Sequence, residues 1–151
     1  MLRGAMSERA ETVTLRLARP EEHEELEKLQ RRALLELADY REQLLANPDA
    51  IHLPPAQIAN GQVIVAEFHG EIAGFAALVG GELDGLFVEP DFWGGGVGRA
   101  LINAAAHEAR RKGLALTVIA NPAARGFYES CGFTLEGETP TRFGPGLRMS
   151  R

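Results

Sequence analysis

Residues 83–101 read LDGLFVEPDFWGGGVGRAL: an apolar run, a proline, four glycines in five positions and the start of an amphipathic pattern. Those four are among the chain's 17 glycines. Because glycine has no Cβ, an anion can approach its backbone N–H group closely, and the first turn of a following helix adds partial positive charge. The stretch therefore predicts a strand–loop–helix unit whose loop binds a phosphate or pyrophosphate group.

The spacing of the glycines excludes two common phosphate-binding loops. A Walker loop requires G-x-x-x-x-G-K-[ST], and the chain contains no Gly-Lys-Ser or Gly-Lys-Thr. A dinucleotide fingerprint requires glycines at positions i, i+2 and i+5. Counted from Gly94 the last position is Arg99, and counted from Gly96 it is Leu101. A plain strand–helix connector remains the alternative interpretation of the loop.

Apolar runs of strand length flank the loop on both sides. They occupy residues 13–17, 63–68, 72–79, 83–88, 114–120, 133–136 and 147–150. The three runs before the glycines follow one another closely, which favours an antiparallel meander. With the helices described next, these strands predict an α/β domain built on a mixed sheet.

Apolar stripes at steps of three or four residues predict the helices. The first stripe indicates one long helix, or two with a bend near Asp39; it comprises Leu26, Leu29, Ala33, Leu37, Tyr40 and Leu44. A second stripe follows the glycines and ends at Gly113, a typical helix cap. A short third helix is expected between Asn121 and Gly132. Residues 54–61 are expected to be irregular, and residues 137–146 to form a loop.

Length and composition narrow the class of protein. A chain of 151 residues with 45% apolar and 25% charged residues is typical of one globular domain, expected at residues 11–151 after a loose leader at residues 1–10. Met1 and Met6 are both candidate starts. Without a signal peptide or a membrane-spanning run, the default location is the cytoplasm. A net charge of −5 argues against nucleic-acid binding, and the histidine and cysteine spacings predict no metal site.

Two motifs carry a resemblance to a known family. Residues 83–101 resemble the acetyl-CoA signature of the GNAT N-acetyltransferases, whose phosphate loop reads [QR]-x-x-G-x-[GA]. Gly96 and Gly98 match its fourth and sixth positions, whereas Trp93 stands where the family has Gln or Arg. Residues 121–133, NPAARGFYESCGF, resemble the family's second signature, N-x-x-A-x-x-F-Y-x-x-x-G-F. One helix and one strand separate the two motifs, as in the family.

The resemblance implies a GNAT-like α/β (α+β) fold. We expect a mixed, mostly antiparallel central sheet of six to seven strands flanked by about four helices. Acetyl-CoA is the implied co-substrate, with no metal. The strand at residues 86–88 is expected to splay from the next strand and to present free amides to the pantetheine arm and the thioester. The implied cofactor-binding residues are Leu86, Phe87, Val88, Gly94, Gly95, Gly96, Val97, Gly98, Arg99, Ala100, Asn121 and Tyr128.

The same resemblance, together with the chemistry, suggests catalytic residues. Tyr128 is expected to face the thioester and to protonate the departing thiolate, while Phe127 is expected to enter the core. The alternative is that both are core aromatics. Glu82 and Asp84 are candidate bases for the acceptor amine, and their spacing of two predicts that they share a face with Leu86. A solvated strand end is the alternative for these two acids.

The sequence therefore predicts an N-acetyltransferase that transfers acetyl from acetyl-CoA directly to a primary amine of a small molecule or peptide. The alternative is a non-catalytic CoA-binding or sensory module on the same fold. We expect a monomer or homodimer, with no nucleic-acid or membrane partner. The acceptor is expected to be selected by residues 39–61 and 137–146, in which no pattern identifies it.

Overall fold

The computed structural model describes residues 13–151, so the predicted leader and the choice between Met1 and Met6 lie outside the described residues. One seven-stranded sheet organises this part of the chain. Its strands are β1 (Thr14–Leu17), β2 (Val63–Phe68), β3 (Glu71–Val79), β4 (Glu82–Val88), β5 (Thr117–Ala120), β6 (Thr134–Thr141) and β7 (Gly144–Ser150). The spatial order is β1-β2-β3-β4-β5-β7-β6. All neighbours are antiparallel except β4 and β5, which confirms the predicted mixed sheet.

Five α-helices lie within residues 13–151. They are α1 (His23–Leu35), α2 (Ala38–Ala46), α3 (Pro55–Ala59), α4 (Val97–Arg111) and α5 (Arg125–Ser130). The prediction was about four, and the additional one is α3, in a segment expected to be irregular. Pro55 stands at its start, where a proline costs no hydrogen bond and its fixed φ suits the helix. Proline there was taken as a loop signal, although it also marks a helix start.

The first apolar stripe forms two helices, and the break lies slightly before the expected position near Asp39. Leu37 has an extended backbone, with φ −83° and ψ 102°, which ends α1 and begins α2. The guanidinium of Arg41 donates to the carbonyl oxygen of Leu35 at 3.0 Å and so satisfies one free acceptor at the end of α1.

Each face of the sheet is covered by helices. On one face, α4 and α5 pack on the sheet through the larger core, which contains Val97, Leu101, Ile102, Ala105, Ala109, Tyr128 and Phe133. On the other face, α1 and α3 cover a smaller core, to which they contribute Leu26, Leu29 and Ile58. None of the helices in residues 13–151 combines the length and apolar character needed to cross a bilayer.

The closing hairpin is longer than predicted. Residues 137–146 were expected to be a loop, but β6 runs to Thr141 and β7 starts at Gly144, so only Arg142 and Phe143 form the turn. Because β6 is an edge strand, Pro140 can sit in it without removing a hydrogen bond from a central strand. The glycines and proline indicated a loop, but at a sheet edge they are compatible with a strand.

Within residues 13–151, the one parallel pair of strands opens a gap in the sheet. Strands β4 and β5 pair at Glu82–Thr117 and Leu83–Val118, whereas β4 continues to Val88 without a partner on that side. The C-terminal halves of the two strands therefore splay apart. This separation confirms the expected splay at residues 86–88.

Candidate active site

A cleft of about 750 Å³ lies beside the C-terminal half of β4, where that strand has no pairing partner in β5. Its walls come from the end of β4, the glycine loop, the first turn of α4, the start of α5 and the end of α1. The predicted residues that line it are Leu86, Phe87, Val88, Gly94, Gly96, Val97, Gly98, Arg99 and Tyr128. The two motifs, about 25 residues apart in sequence, thus meet at one site.

Backbone N–H groups of the glycine loop are free to bind a ligand. Among the described residues, no acceptor contacts the N–H groups of Gly94, Gly96, Val97, Gly98 and Arg99. The last three belong to the first turn of α4, where a helix offers no internal acceptor. All five residues line the cleft, so N–H donors and the positive end of the α4 dipole face the same space. This arrangement suits an anion.

Two other predicted loop residues do not line the cleft. The N–H group of Gly95 donates to the carbonyl oxygen of Phe92 at 3.3 Å, and that of Ala100 donates to Gly96 at 3.0 Å. Their amides are therefore used inside the loop and the helix. Gly94 and Gly96 have φ of +78° and +86°, a conformation that glycine adopts at little cost. These two turns direct the remaining amides toward the cleft.

The end of β4 presents alternate backbone groups to the gap. The N–H group of Glu89 donates to Ala73 of β3 at 2.8 Å. Because successive residues of a strand direct their backbone groups to opposite sides, Val88 and Leu86 face the gap instead. The carbonyl oxygen of Val88 already accepts a hydrogen bond from the indole N–H of Trp93 at 2.8 Å.

Tyr128 lies at the inner end of the cleft. Its ring packs edge-on against those of Phe127 and Phe133, each with a centroid distance of 5.3 Å, and only 8% of the residue is exposed. No hydrogen-bond partner of its hydroxyl lies in the described part of the chain. Burial raises the pKa of Tyr128 to about 12, and Cys131 contributes to the shift. Tyr128 is therefore a buried, protonated phenol that borders the cleft.

Phe127 does not enter the core, so that expectation was wrong. It is 40% exposed and lines the cleft, whereas Tyr128 is the more buried of the two. The two side chains do point in different directions, as adjacent helical residues must. Both side chains line the cleft, because α5 turns Phe127 toward Gly98 at the start of α4.

Asn121 caps the turn that precedes α5. Its side-chain oxygen accepts a hydrogen bond from the N–H group of Ala123 at 3.0 Å, as the Asn-Pro pair predicts. Asn121 does not line the cleft, although its neighbours Ala123 and Ala124 do. The expected contact with the CoA arm remains a prediction.

Glu82 and Asp84 lie at the paired end of β4, outside the residues that line the cleft. The prediction that they share a face with Leu86 was wrong. Pairing with β3 shifts register between Ala77 and Leu78, so Asp84 is the extra residue of a β-bulge. The bulge interrupts the alternation, and Leu83 instead joins Leu86 on the larger core. Both acids are exposed, and Asp84 accepts a hydrogen bond from the amide of Gln57 at 2.9 Å.

Comparison with known proteins gives this site a context. The family profile described as "Acetyltransferase (GNAT) domain" matches residues 59–135, just over half of the chain. The chain belongs to the GNAT acetyltransferase family. A search of curated protein sequences gave no match.

Solved structures agree with this GNAT assignment. Apo YjaB from Escherichia coli has 29% identity and a TM-score of 0.70, over 91% of this chain and 96% of that one. A GCN5-related N-acetyltransferase from Rhodopseudomonas palustris has 26% identity and a TM-score of 0.78, over 93% and 95%. The acetyltransferase yncA of Salmonella typhimurium, solved with acetyl-CoA, shares the fold at 22% identity and a TM-score of 0.69, over 92% of each chain.

Several residues that line the cleft of this GNAT domain were not predicted as site residues. They are Ala33, Leu37, Phe92, Trp93, Ala123, Ala124 and Phe127. Ala33 and Leu37 belong to the first apolar stripe, which was interpreted only as a core face. The stripe continues past Leu26 and Leu29, which lie in the core, and this continuation is the sequence signal that could have identified Ala33 and Leu37 as cleft residues. Within residues 13–151 no group of three or more His, Cys, Asp or Glu residues is arranged to hold a metal ion.

Proposed function

We propose that the protein is an N-acetyltransferase that moves the acetyl group of acetyl-CoA directly to a primary amine of a small molecule or peptide. The observation that carries the proposal is the coincidence of free N–H groups, a splayed β4 and a buried phenol in one cleft. Membership of the GNAT acetyltransferase family supports an acyl transfer in general. The amine acceptor and direct transfer are parts of the proposal.

The cleft fits a donor that is anionic at one end and apolar along its length. Five free N–H groups at the start of α4 would hold a pyrophosphate, because partial positive charge and donors converge there. The N–H groups of Leu86 and Val88 would bind the amides of the pantetheine arm and the thioester carbonyl. The donor supplies an acyl group bonded to a thiol leaving group, and the N–H groups of the loop and of β4 would hold that donor in position.

Tyr128 would act as the acid. The nitrogen of the acceptor forms a bond to the thioester carbon, the carbon–sulfur bond breaks, and the sulfur leaves with the electron pair and takes up a proton. The Tyr128 hydroxyl would donate a hydrogen bond to that sulfur as its negative charge develops. With a pKa of about 12 it is a weaker acid than an ordinary thiol, whose pKa is about 8.5, so complete proton transfer to the thiolate is unfavourable at every stage. The thiolate would then take up its proton from water, to which the proton lost by the amine is released.

A carboxylate would remove the proton that the acceptor loses. Asp84 is better placed than Glu82, because it lies closer along β4 to the splayed segment and Gln57 holds its side chain. Only Gly85 lies between Asp84 and Leu86, and two residue steps of a strand span about 7 Å, so a water molecule would carry the proton between amine and carboxylate. The carboxylate would then release this proton to solvent.

The acceptor would enter between residues 39–61 and the closing hairpin. We further propose a cytoplasmic enzyme that acts as a monomer or homodimer, without a nucleic-acid or membrane partner. A non-catalytic CoA-binding module is not favoured, since the matching family is one of acetyltransferases and Tyr128 borders the cleft.

Two measurements test the proposal. Isothermal titration with acetyl-CoA, ATP and NAD should give saturable heat for acetyl-CoA alone. Release of free thiol from acetyl-CoA, followed across amines, amino acids, peptides and aminoglycosides, should identify at least one acceptor, with the acetylated amine confirmed by mass spectrometry. Tight ATP binding without acetyl-CoA binding would contradict the donor. Binding without transfer to any acceptor would favour the non-catalytic module.

A further inference from the structure

Trp93 is the residue at which this chain departs from the glycine-loop pattern of its family, and the structure gives its indole a specific partner. The indole N–H donates to the carbonyl oxygen of Val88 at 2.8 Å. Val88 is the last residue of β4 and lies beside the gap, where β5 provides no pairing partner. The hydrogen bond therefore joins the splayed strand to the start of the glycine loop, five residues later in the chain.

This hydrogen bond fixes the chain at the point where the strand ends and the loop begins. The free N–H groups that follow face the cleft, so the orientation of the first residue of the loop influences where those donors point. An indole is a donor without acceptor capacity, so it bonds the Val88 carbonyl oxygen and adds no acceptor beside these N–H groups. A glutamine would bring both a donor and an acceptor, and an arginine would bring a full charge.

The ring of Trp93 also remains available to a ligand. It lines the cleft, yet 48% of the residue is exposed. An aromatic ring beside a cleft gains apolar contact when the cleft is filled, and burial of a large side chain stabilises a complex. Trp93 is also the only tryptophan of the chain, so its fluorescence reports on this position alone.

We propose that Trp93 is a positioning residue of the donor site, whose hydrogen bond to the Val88 carbonyl oxygen keeps the start of the glycine loop in its binding conformation. The inference rests on the proposed binding of acetyl-CoA in this cleft. It concerns affinity for the donor and does not depend on which amine accepts the acetyl group.

The test combines tryptophan fluorescence with titration calorimetry on the full chain. Addition of acetyl-CoA should change Trp93 emission saturably, with the same Kd as calorimetry gives. Trp93→Phe keeps an aromatic ring but loses the N–H group, and it should weaken acetyl-CoA binding about tenfold, the effect expected for one hydrogen bond. The melting temperature should stay within a few degrees of wild type, since the residue is half exposed.

A control places a tryptophan elsewhere. The double variant Trp93→Phe, Leu17→Trp carries its reporter on the edge strand β1, where Leu17 is 57% exposed, and its emission should not respond to acetyl-CoA. Unchanged affinity in Trp93→Phe, or constant wild-type emission at calorimetric saturation, overturns this inference while leaving the transferase proposal intact. Absence of acetyl-CoA binding to the wild type overturns both.

Discussion

The ring of Phe127 lies directly against Gly98. A Cβ atom built on Gly98 would lie 3.0 Å from Phe127 Cζ, a contact so tight that the ring would have to shift by a few tenths of an ångström. Gly98 belongs to the first turn of α4 and Phe127 to α5, so the missing side chain lets the two helices meet at the cleft wall. The glycine required by the phosphate-loop pattern thus also accommodates an aromatic residue of the second motif.

Gly98→Ala should weaken acetyl-CoA binding about tenfold. The backbone of Gly98 does not have positive φ, so alanine fits the helix, but its methyl group would push Phe127 into the cleft. Calorimetric Kd values measure the effect. The control is Gly126→Ala on α5, where a Cβ would meet nothing within 4 Å, and it should leave the Kd unchanged. Equal effects of the two substitutions would mean that contact with Phe127 is not the cause.

Tyr128→Phe should lower kcat at least tenfold while acetyl-CoA affinity changes less than threefold. The substitution removes only the proton donor, and the ring contacts with Phe127 and Phe133 remain. A general acid contributes about 10² to 10⁴ in rate, so the loss should be clear in steady-state kinetics with a good acceptor. A variant with wild-type kcat would exclude Tyr128 from the mechanism.

The pH dependence follows from the raised pKa of Tyr128. The hydroxyl stays protonated up to about pH 12, so ionisation of Tyr128 should cause no fall in kcat between pH 8 and about pH 10. The pKa of Tyr128 is higher in the folded protein than in the unfolded chain, where it is about 10. The stability that the protonated phenol contributes is therefore fully present below pH 10 and is lost as the pH rises toward 12. Denaturation curves should show a shallower alkaline loss in Tyr128→Phe. An identical loss in both proteins would contradict the buried phenol.

Substitution of the two acids on β4 should separate the candidate bases. Asp84→Asn should lower kcat/KM about tenfold or more at neutral pH, with the deficit shrinking as rising pH deprotonates the acceptor amine in solution. Glu82→Gln, at the paired start of the strand, serves as the matched control and should change kcat/KM less than threefold. If Glu82→Gln has the larger effect, the assignment to Asp84 is wrong. If neither substitution lowers kcat/KM, another group removes the proton from the acceptor amine.

The geometry of the glycine loop could be predicted from the sequence because it depends on the backbone. Glycines at positions 94 and 96 adopt positive φ, and helical geometry alone leaves the N–H groups of the first turn free. Such features follow from residue type and local order. The apolar periodicities likewise placed the strands and main helices, since each buries one regular face.

The acceptor side could not be predicted in the same way. The bulge at Asp84 has no glycine at the extra position, and only the pairing with β3 reveals it. The hairpin from residues 134 to 150 depends on its pairing with β5 and on its place at the sheet edge, both long-range properties. The resemblance to the family implied that Phe127 enters the core, and neither that resemblance nor local periodicity shows that Gly98 leaves room for the ring at the cleft wall.

The turn of the closing hairpin is tied to the segment after α2, and this link should influence the acceptor. Arg142 donates hydrogen bonds to the side chains of Asp49 at 3.1 Å and Asn47 at 3.2 Å. The ring centroids of Phe143 and Tyr40 are 6.3 Å apart. The two segments belong to opposite sides of the gap, because α1 packs on β4 and α2 packs on α1, whereas the hairpin lies beyond β5. Their contact therefore spans the proposed acceptor entrance at the C-terminal ends of β4 and β5.

Arg142→Ala should change the KM of a good acceptor at least threefold and leave the acetyl-CoA Kd unchanged. The pair is exposed, so its contribution to stability should be small. Hydrogen bonding from Arg142 lowers the pKa of Asp49, so the interaction is present above the ordinary pKa of that carboxyl and is lost as the pH falls through the lowered value.

The control is Arg111→Ala, which removes an exposed ion pair to Glu108 on α4 and should not alter acceptor KM. The charge-reversed pair Arg142→Asp, Asp49→Arg should restore the wild-type KM, and failure to do so would show that the ion pair does not position the acceptor entrance.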